Sequence, residues 1–171
     1  MCYFLYLASP LTLSEVRSML PPGLSADLAA VPDQQKLKAI HSTAQTVARI
    51  LVGRCSCDLV RPRLADSRED ERHLRERFRK LGVTRSLVIQ ALERHRQGSG
   101  PNLSADNWPA AMSRFVAEHA RNAGTCLYHL QFSPDAGPLS SLGGVRRVTV
   151  AQVTADPRGW LLEAAPTLVS R

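Results

Sequence analysis

The sequence predicts an α+β fold, with a small, mostly antiparallel sheet formed from the N- and C-terminal segments, packed by helices, and an arginine-rich helical hairpin inserted between them. Three observations carry this. Cys2 to Ala8 is an unbroken apolar and aromatic run, the middle of the chain repeats apolar residues at helical spacing, and the last third alternates apolar with polar residues.

The opening run ends at Ser9-Pro10, where proline removes a backbone donor, so Cys2 to Ala8 reads as a buried strand. Thr12 or Ser14 can cap a short helix running through Met19, which the breaker cluster Pro21-Pro22-Gly23 stops. Gly23 to Gln35 reads as loop. Beyond it two templates compete: Leu37, Ile40, Ala44, Val47 and Leu51 keep helical spacing, while Val47 to Val52 fits a strand ahead of Gly53. The strand is the reading adopted.

Residues 62–98 read as the inserted hairpin. Asp66-Ser67 precedes an acidic first turn at Glu69 to Glu71 and a basic body carrying Leu74, Phe78 and Leu81, an arrangement that suits the helix dipole. Leu81-Gly82-Val83 makes the turn, and Thr84 caps a second helix bearing Leu87, Val88, Ala91 and Leu92 and ending near Gly98. After a linker at Gln97 to Asn102, Ser104 starts a helix with Trp108, Met112, Phe115 and His119 on one stripe. Pro109 is tolerated there because it falls in the first turns. Thr125 to Phe132, Val145 to Val153 and Trp160 to Ala164 read as strands around a turn-rich loop at Ser133 to Gly144. Two or three of them are expected to pair antiparallel, with the N-terminal strand a possible neighbour.

A chain of 171 residues with 44% apolar content has enough material for one continuous core, so residues 1–171 are read as a single domain. The N-terminal apolar run has no basic segment before it and is far shorter than the roughly 20 residues that cross a bilayer, so neither a signal peptide nor a membrane span is expected. Four cysteines, two of them at Cys55 and Cys57, do not form the pattern of a secreted disulfide framework. A reducing cytoplasm is the expected compartment. The formal charge of +7 is carried mostly by arginine, whose planar fork suits phosphate or carboxylate partners. A solvated arginine-rich surface would give the same composition.

The opening Met-Cys-Tyr-Phe-Leu-Tyr-Leu-Ala-Ser-Pro-Leu, the Cys55-Ser56-Cys57 element, and Leu127-Tyr128 followed by Arg146-Arg147-Val148-Thr149-Val150 together resemble a family of small uncharacterised bacterial proteins. Those begin with Met-Cys, contain a Cys-x-Cys-Gly-Phe element and end in a pair of strands. The resemblance covers about half of the chain and implies no established activity. This chain has Asp58-Leu59 where the family has Gly-Phe, and carries the 62–98 hairpin as an insertion.

Among candidate sites, Cys55-x-Cys57 places two thiols close enough to share one soft metal ion, and Cys2 can supply a third ligand if the sheet brings it near. Asp58, His41 or Cys126 are the candidates for a fourth. Zinc, copper(I) and iron-sulfur clusters all suit thiolates, with zinc the cofactor considered first. The alternative keeps Cys2 and Cys126 as small buried hydrophobes and the Cys-x-Cys as an empty turn. If Met1 is removed, Cys2 also acquires the amine and thiol of an N-terminal nucleophile, although Tyr3-Phe4 replaces the glycine that such amidotransferases show.

The helix-turn-helix spacing of the hairpin would expose Arg85, Ser86, Gln90 and Arg94 to a nucleic-acid groove or to an acidic protein partner. An ordinary helical hairpin needs the same glycine and apolar face. The five histidines are dispersed, and packing or capping is their expected role. Phosphate-binding loops, dinucleotide fingerprints, nucleophile elbows and zinc-protease motifs are absent from the sequence. The functional expectation is a non-enzymatic accessory or interaction protein with a cysteine-bound metal, and the alternative is nucleic-acid binding through the basic hairpin.

Overall fold

The structure, a computed structural model, describes residues 2–60, 72, 75, 76, 78, 79, 84–89, 108–133, 138, 139 and 142–171. Most of the expected hairpin, including Gln90 and Arg94, lies outside the described residues, as does Ser104. Residues 85–89 are helical, which fits a helix after Thr84, while the turn at 81–83 is not described.

The fold is α+β. Its six-stranded sheet has the order β2-β3-β1-β4-β6-β5, with β1 (Cys2–Ser9), β2 (Ser25–Leu28), β3 (Thr46–Leu51), β4 (Thr125–Ser133), β5 (Arg146–Thr149) and β6 (Thr167–Ser170). β1 pairs antiparallel with β3 on one side (Leu5 opposite Ile50) and with β4 on the other (Leu5 opposite Leu130). The pairing of the N-terminal strand with the C-terminal third is therefore as expected. The sheet is mixed rather than mostly antiparallel, because β5 runs parallel to β6.

Both faces of the sheet are covered, which is why β1 is an unbroken apolar run and does not alternate. Tyr3, Leu5 and Leu7 point to one face, where they meet Val16 of α1 (Leu13–Met19), Met112, Phe115, Val116 and Ala120 of α4 (Trp108–Ala123), and Val153 of α5 (Val150–Ala155). Phe4, Tyr6 and Ala8 point to the other, against Leu37 of α2 (Val31–Ile40) and Leu139. A short helix, α3 (Cys57–Val60), follows β3. In α4 the buried positions Trp108, Met112, Phe115, Val116, His119 and Ala120 recur every three or four residues and form its core-facing stripe. Gly124, at φ 81°, ends the helix by donating to Ala120 at 2.9 Å, a left-handed position that a residue with a Cβ fills poorly. No described helix is long and apolar enough to cross a membrane.

Several sequence expectations need correction. Gly23 to Gln35 is not a loop throughout, since it holds β2 and the start of α2. β2 escaped notice because it is an edge strand in which only Ala26 is buried. α2 begins on Ala30 with no side-chain cap, its start marked only by Pro32 in the first turn. The ambiguous stretch from Leu37 to Val52 uses both templates in turn, helix to Ile40 and strand from Thr46.

Val145 to Val153 is not one strand. Thr149 accepts from the Gln152 amide at 3.3 Å and Gln152 accepts from the Thr149 amide at 2.8 Å, a capping box that ends β5 and starts α5. Among the described residues Trp160 to Ala164 makes only a single bridge, between Glu163 and Leu130, and the strand falls later at Thr167–Ser170. Thr12 caps α1 with the same motif, through Glu15, as expected.

Candidate metal centre

β3 ends opposite the start of β1, and the chain then turns back within four residues. Val52 donates to Cys55 O at 2.7 Å around Gly53, whose φ of 65° is left-handed. Glycine at the first central position matches the turn geometry that follows the twist of paired strands. The turn returns residues 55–57 to the edge that β3 has just left. There the Ser56 amide donates to Tyr3 O at 2.8 Å.

Ser56 is fully buried and fixes this segment. Its hydroxyl accepts from the Leu5 amide at 2.8 Å and donates to Ile50 O, so one side chain ties the two neighbouring strands together. With Ser56 pinned, the residues on either side have little freedom. The Tyr3 amide donates to Cys57 Sγ at 3.3 Å, which seats that sulfur over the first peptide of β1.

The result is a three-thiol cluster. The Sγ atoms of Cys2, Cys55 and Cys57 all lie within 4.8 Å of one another, each residue half-buried and each a free cysteine. The side chains are mutually responsive: hydrogen bonds from Cys55 and then Cys57 hold the Cys2 thiol well below the usual thiol range, although burial opposes this. Hydrogen bonding to Cys2 pushes both the Cys55 and the Cys57 thiols up, with burial adding to it and the bond to Cys57 opposing it at Cys55. The three thiols thus act on one another, and a bound cation would favour their deprotonated forms.

Of the proposed fourth ligands, two are displaced. Cys126 lies at the opposite end of β4 from Ser133, the partner of Cys2, and is fully buried in the core, where burial pushes its thiol up to about 12. His41 is at that same distant end, bonded through Nε2 to Thr125 O at 3.0 Å. Neither belongs to the cluster. The side chain of Asp58 lies outside the described residues.

Of the expected hairpin site, Arg85 and Ser86 are described and exposed. Phe78 does reach the sheet. It is buried and stacks with Phe132 at 6.1 Å between centroids, and Phe132 in turn meets Tyr3 at 5.1 Å.

Two buried polar groups had no individual signal in the sequence. His119 Nε2 lies 2.7 Å from Ser9 Oγ and His119 Nδ1 lies 2.7 Å from Tyr128 OH, with all three residues fully buried. Ser9 Oγ also accepts from the Leu11 amide at 3.0 Å. The arrangement resembles a relay, but full burial leaves no place for a substrate, and its chemistry is that of a satisfied internal network. On the other face Asp33 accepts from the Leu139 amide at 2.7 Å and from Tyr6 OH at 3.4 Å. Burial first, then the negative charge of Asp33 and its bond to the hydroxyl, push Tyr6 up to about 12.

Comparison with protein-family models, with curated proteins and with solved structures finds no match to this chain.

Proposed function

We propose that the protein binds a thiophilic metal ion, zinc in the first instance, through Cys2, Cys55 and Cys57, and acts as a non-enzymatic accessory protein. The carrying observation is the convergence of three sulfurs within 4.8 Å from two places in the chain. Three thiols, with no carboxylate or imidazole clustered with them among the described residues, favour zinc or copper(I) over magnesium, calcium or manganese. Three protein ligands leave the fourth tetrahedral position of zinc to water, to another molecule or to a further side chain. The resemblance to the Met-Cys family agrees with this reading, since that family shares the cysteine elements. The Tyr3 amide bond to Cys57 supports it further, because a donor to a thiolate sulfur orients a ligand and tempers its charge.

The test is the metal content of untagged protein purified without added metal, by elemental mass spectrometry, beside the Cys55→Ser, Cys57→Ser double variant. Near-stoichiometric metal that disappears in the variant is the expected result. A folded, metal-free protein that also fails to take up zinc, copper(I) or iron on reconstitution would overturn the reading.

The second reading, a basic surface that docks nucleic acid or an acidic protein, rests on the exposure of Arg72, Arg79 and Arg85. Nucleic-acid binding requires retention on heparin with a steep salt dependence, weakened by Arg85→Ala and Arg94→Ala. Co-purification of a discrete protein complex without heparin retention would favour the acidic protein.

A further inference from the structure

We infer that the cluster is also a site of reversible oxidation, in which Cys2 and Cys57 form an intramolecular disulfide on reaction with a hydroperoxide, releasing the metal. This rests on the metal reading for the release step alone, since the disulfide requires only the thiols.

The geometry selects the pair. All three thiols are within reach of one another and none is fully buried, so a small oxidant has access and a second sulfur always stands beside the first. A disulfide demands closely defined Cα and Cβ separations. Cys55 and Cys57 flank Ser56, which is held by its amide to Tyr3 O and by its hydroxyl to Leu5 and Ile50. Closing the small ring between them would distort a segment pinned at three points. Cys2 is free of that constraint, and the sulfur seated over its own peptide link to Tyr3 is that of Cys57. Cys55 remains as a lone thiol, one ligand where three are needed to hold the ion.

The chemistry balances in two steps. The Cys2 thiol attacks the distal oxygen of the hydroperoxide, the O–O bond breaks, and the products are a Cys2 sulfenic acid and an alcohol, or water when the oxidant is hydrogen peroxide. The Cys57 thiol then attacks the Cys2 sulfur, the S–O bond breaks, and the hydroxyl leaves as water with the thiol proton. Two electrons pass from the two cysteines to the peroxide, and a thiol reductant returns them.

The experiment treats the zinc-loaded protein with stoichiometric hydrogen peroxide, reads free zinc with a chromogenic chelator, and maps the oxidised cysteines by peptide mass spectrometry without reduction. The expected result is zinc release in step with a Cys2–Cys57 cross-link, both reversed by a thiol reductant. Zinc release with Cys55 linked to Cys57, accumulation of sulfinic or sulfonic acid without any cross-link, or thiols unchanged by peroxide would each overturn the inference. The same mapping on protein carrying no metal separates the two readings: a Cys2–Cys57 cross-link in a chain that never takes up zinc would retain the oxidation site and remove the metal. Cys55→Ser is expected to cross-link as the parent does, and Cys57→Ser to lose the cross-link.

Discussion

Ser56 Oγ accepts the Leu5 amide at 2.8 Å while donating to Ile50 O, so a single hydroxyl joins the central strand to its neighbour at the point where the two flanking cysteines are presented. Replacing it with alanine leaves a buried amide and a buried carbonyl without their partner. Ser56→Ala is expected to destabilise the protein by about 1–3 kcal/mol. Zinc affinity should fall by roughly 10- to 100-fold, as for loss of a group that orients ligands. Denaturant unfolding of the metal-free protein and competition with a chromogenic chelator measure the two effects separately.

Metal removal is expected to lower thermal stability. A ligand present at about 100 times its dissociation constant stabilises the native state by roughly 2.7 kcal/mol. For a chain of this length that corresponds to a melting temperature about 5–10 °C higher. Differential scanning calorimetry with and without a chelator reads it, and the Cys55→Ser, Cys57→Ser variant should show no chelator effect.

Two buried histidines, His119 of the internal network and His129 of β4, offer a pH-dependent prediction independent of the metal. Burial lowers both His119 and His129 to about 4, from an ordinary value of 6.5. Between those values the unfolded chain takes up protons that the folded chain excludes, so stability is fully present above about pH 6.5, declines as the pH falls, and levels off below about pH 4. Each histidine can contribute up to about 3 kcal/mol to that decline. Urea midpoints across this range in metal-free protein test it, and His129→Gln should flatten the curve. An unchanged curve in that variant would remove His129 from the account.

His119→Leu is expected to cost about 2–4 kcal/mol, because Tyr128 OH loses its partner in the core and Ser9 Oγ keeps only the Leu11 amide. Tyr128→Phe removes only one partner and should cost less. A double-mutant cycle measured by chemical denaturation gives the coupling directly.

Gly53 stands in open space, so a side chain there meets no obstacle and the cost is one of backbone conformation. Gly53→Val is expected to lose about 1–2 kcal/mol and to weaken zinc binding by shifting Cys55. Retained affinity beside lost stability would show that the turn and the cluster are not coupled.

Much of the site could be read from the sequence because its parts are local. Cys55-x-Cys57 is a spacing, and Cys2 is the first residue of an unmistakable strand, so the candidate set was legible without the fold. What brings Cys2 to the pair is the β1–β3 register and the turn at Gly53, and register is a property of two strands at once. The fourth-ligand candidates His41 and Cys126 failed for the same reason: they lie at the other end of the sheet, a distance no spacing reveals.

In the fold, elements with a strong periodic face were legible, as α4 shows, whereas β2 buries one residue of four and gives no pattern to find. The β5–α5 junction is different. Thr149-Val-Ala-Gln152 is a capping box written in the sequence, and the apolar alternation around it obscured the signal.

The position of β1 at the centre of the sheet carries a cost during synthesis. Leu5 finds one partner at Ile50 and the other only at Leu130. At ordinary translation speeds the interval between the two is on the order of ten seconds. Throughout it, one edge of the most apolar strand in the chain stands open beside the ribosome, and the nascent protein is exposed to edge-to-edge association with its own copies until β4 emerges to close it.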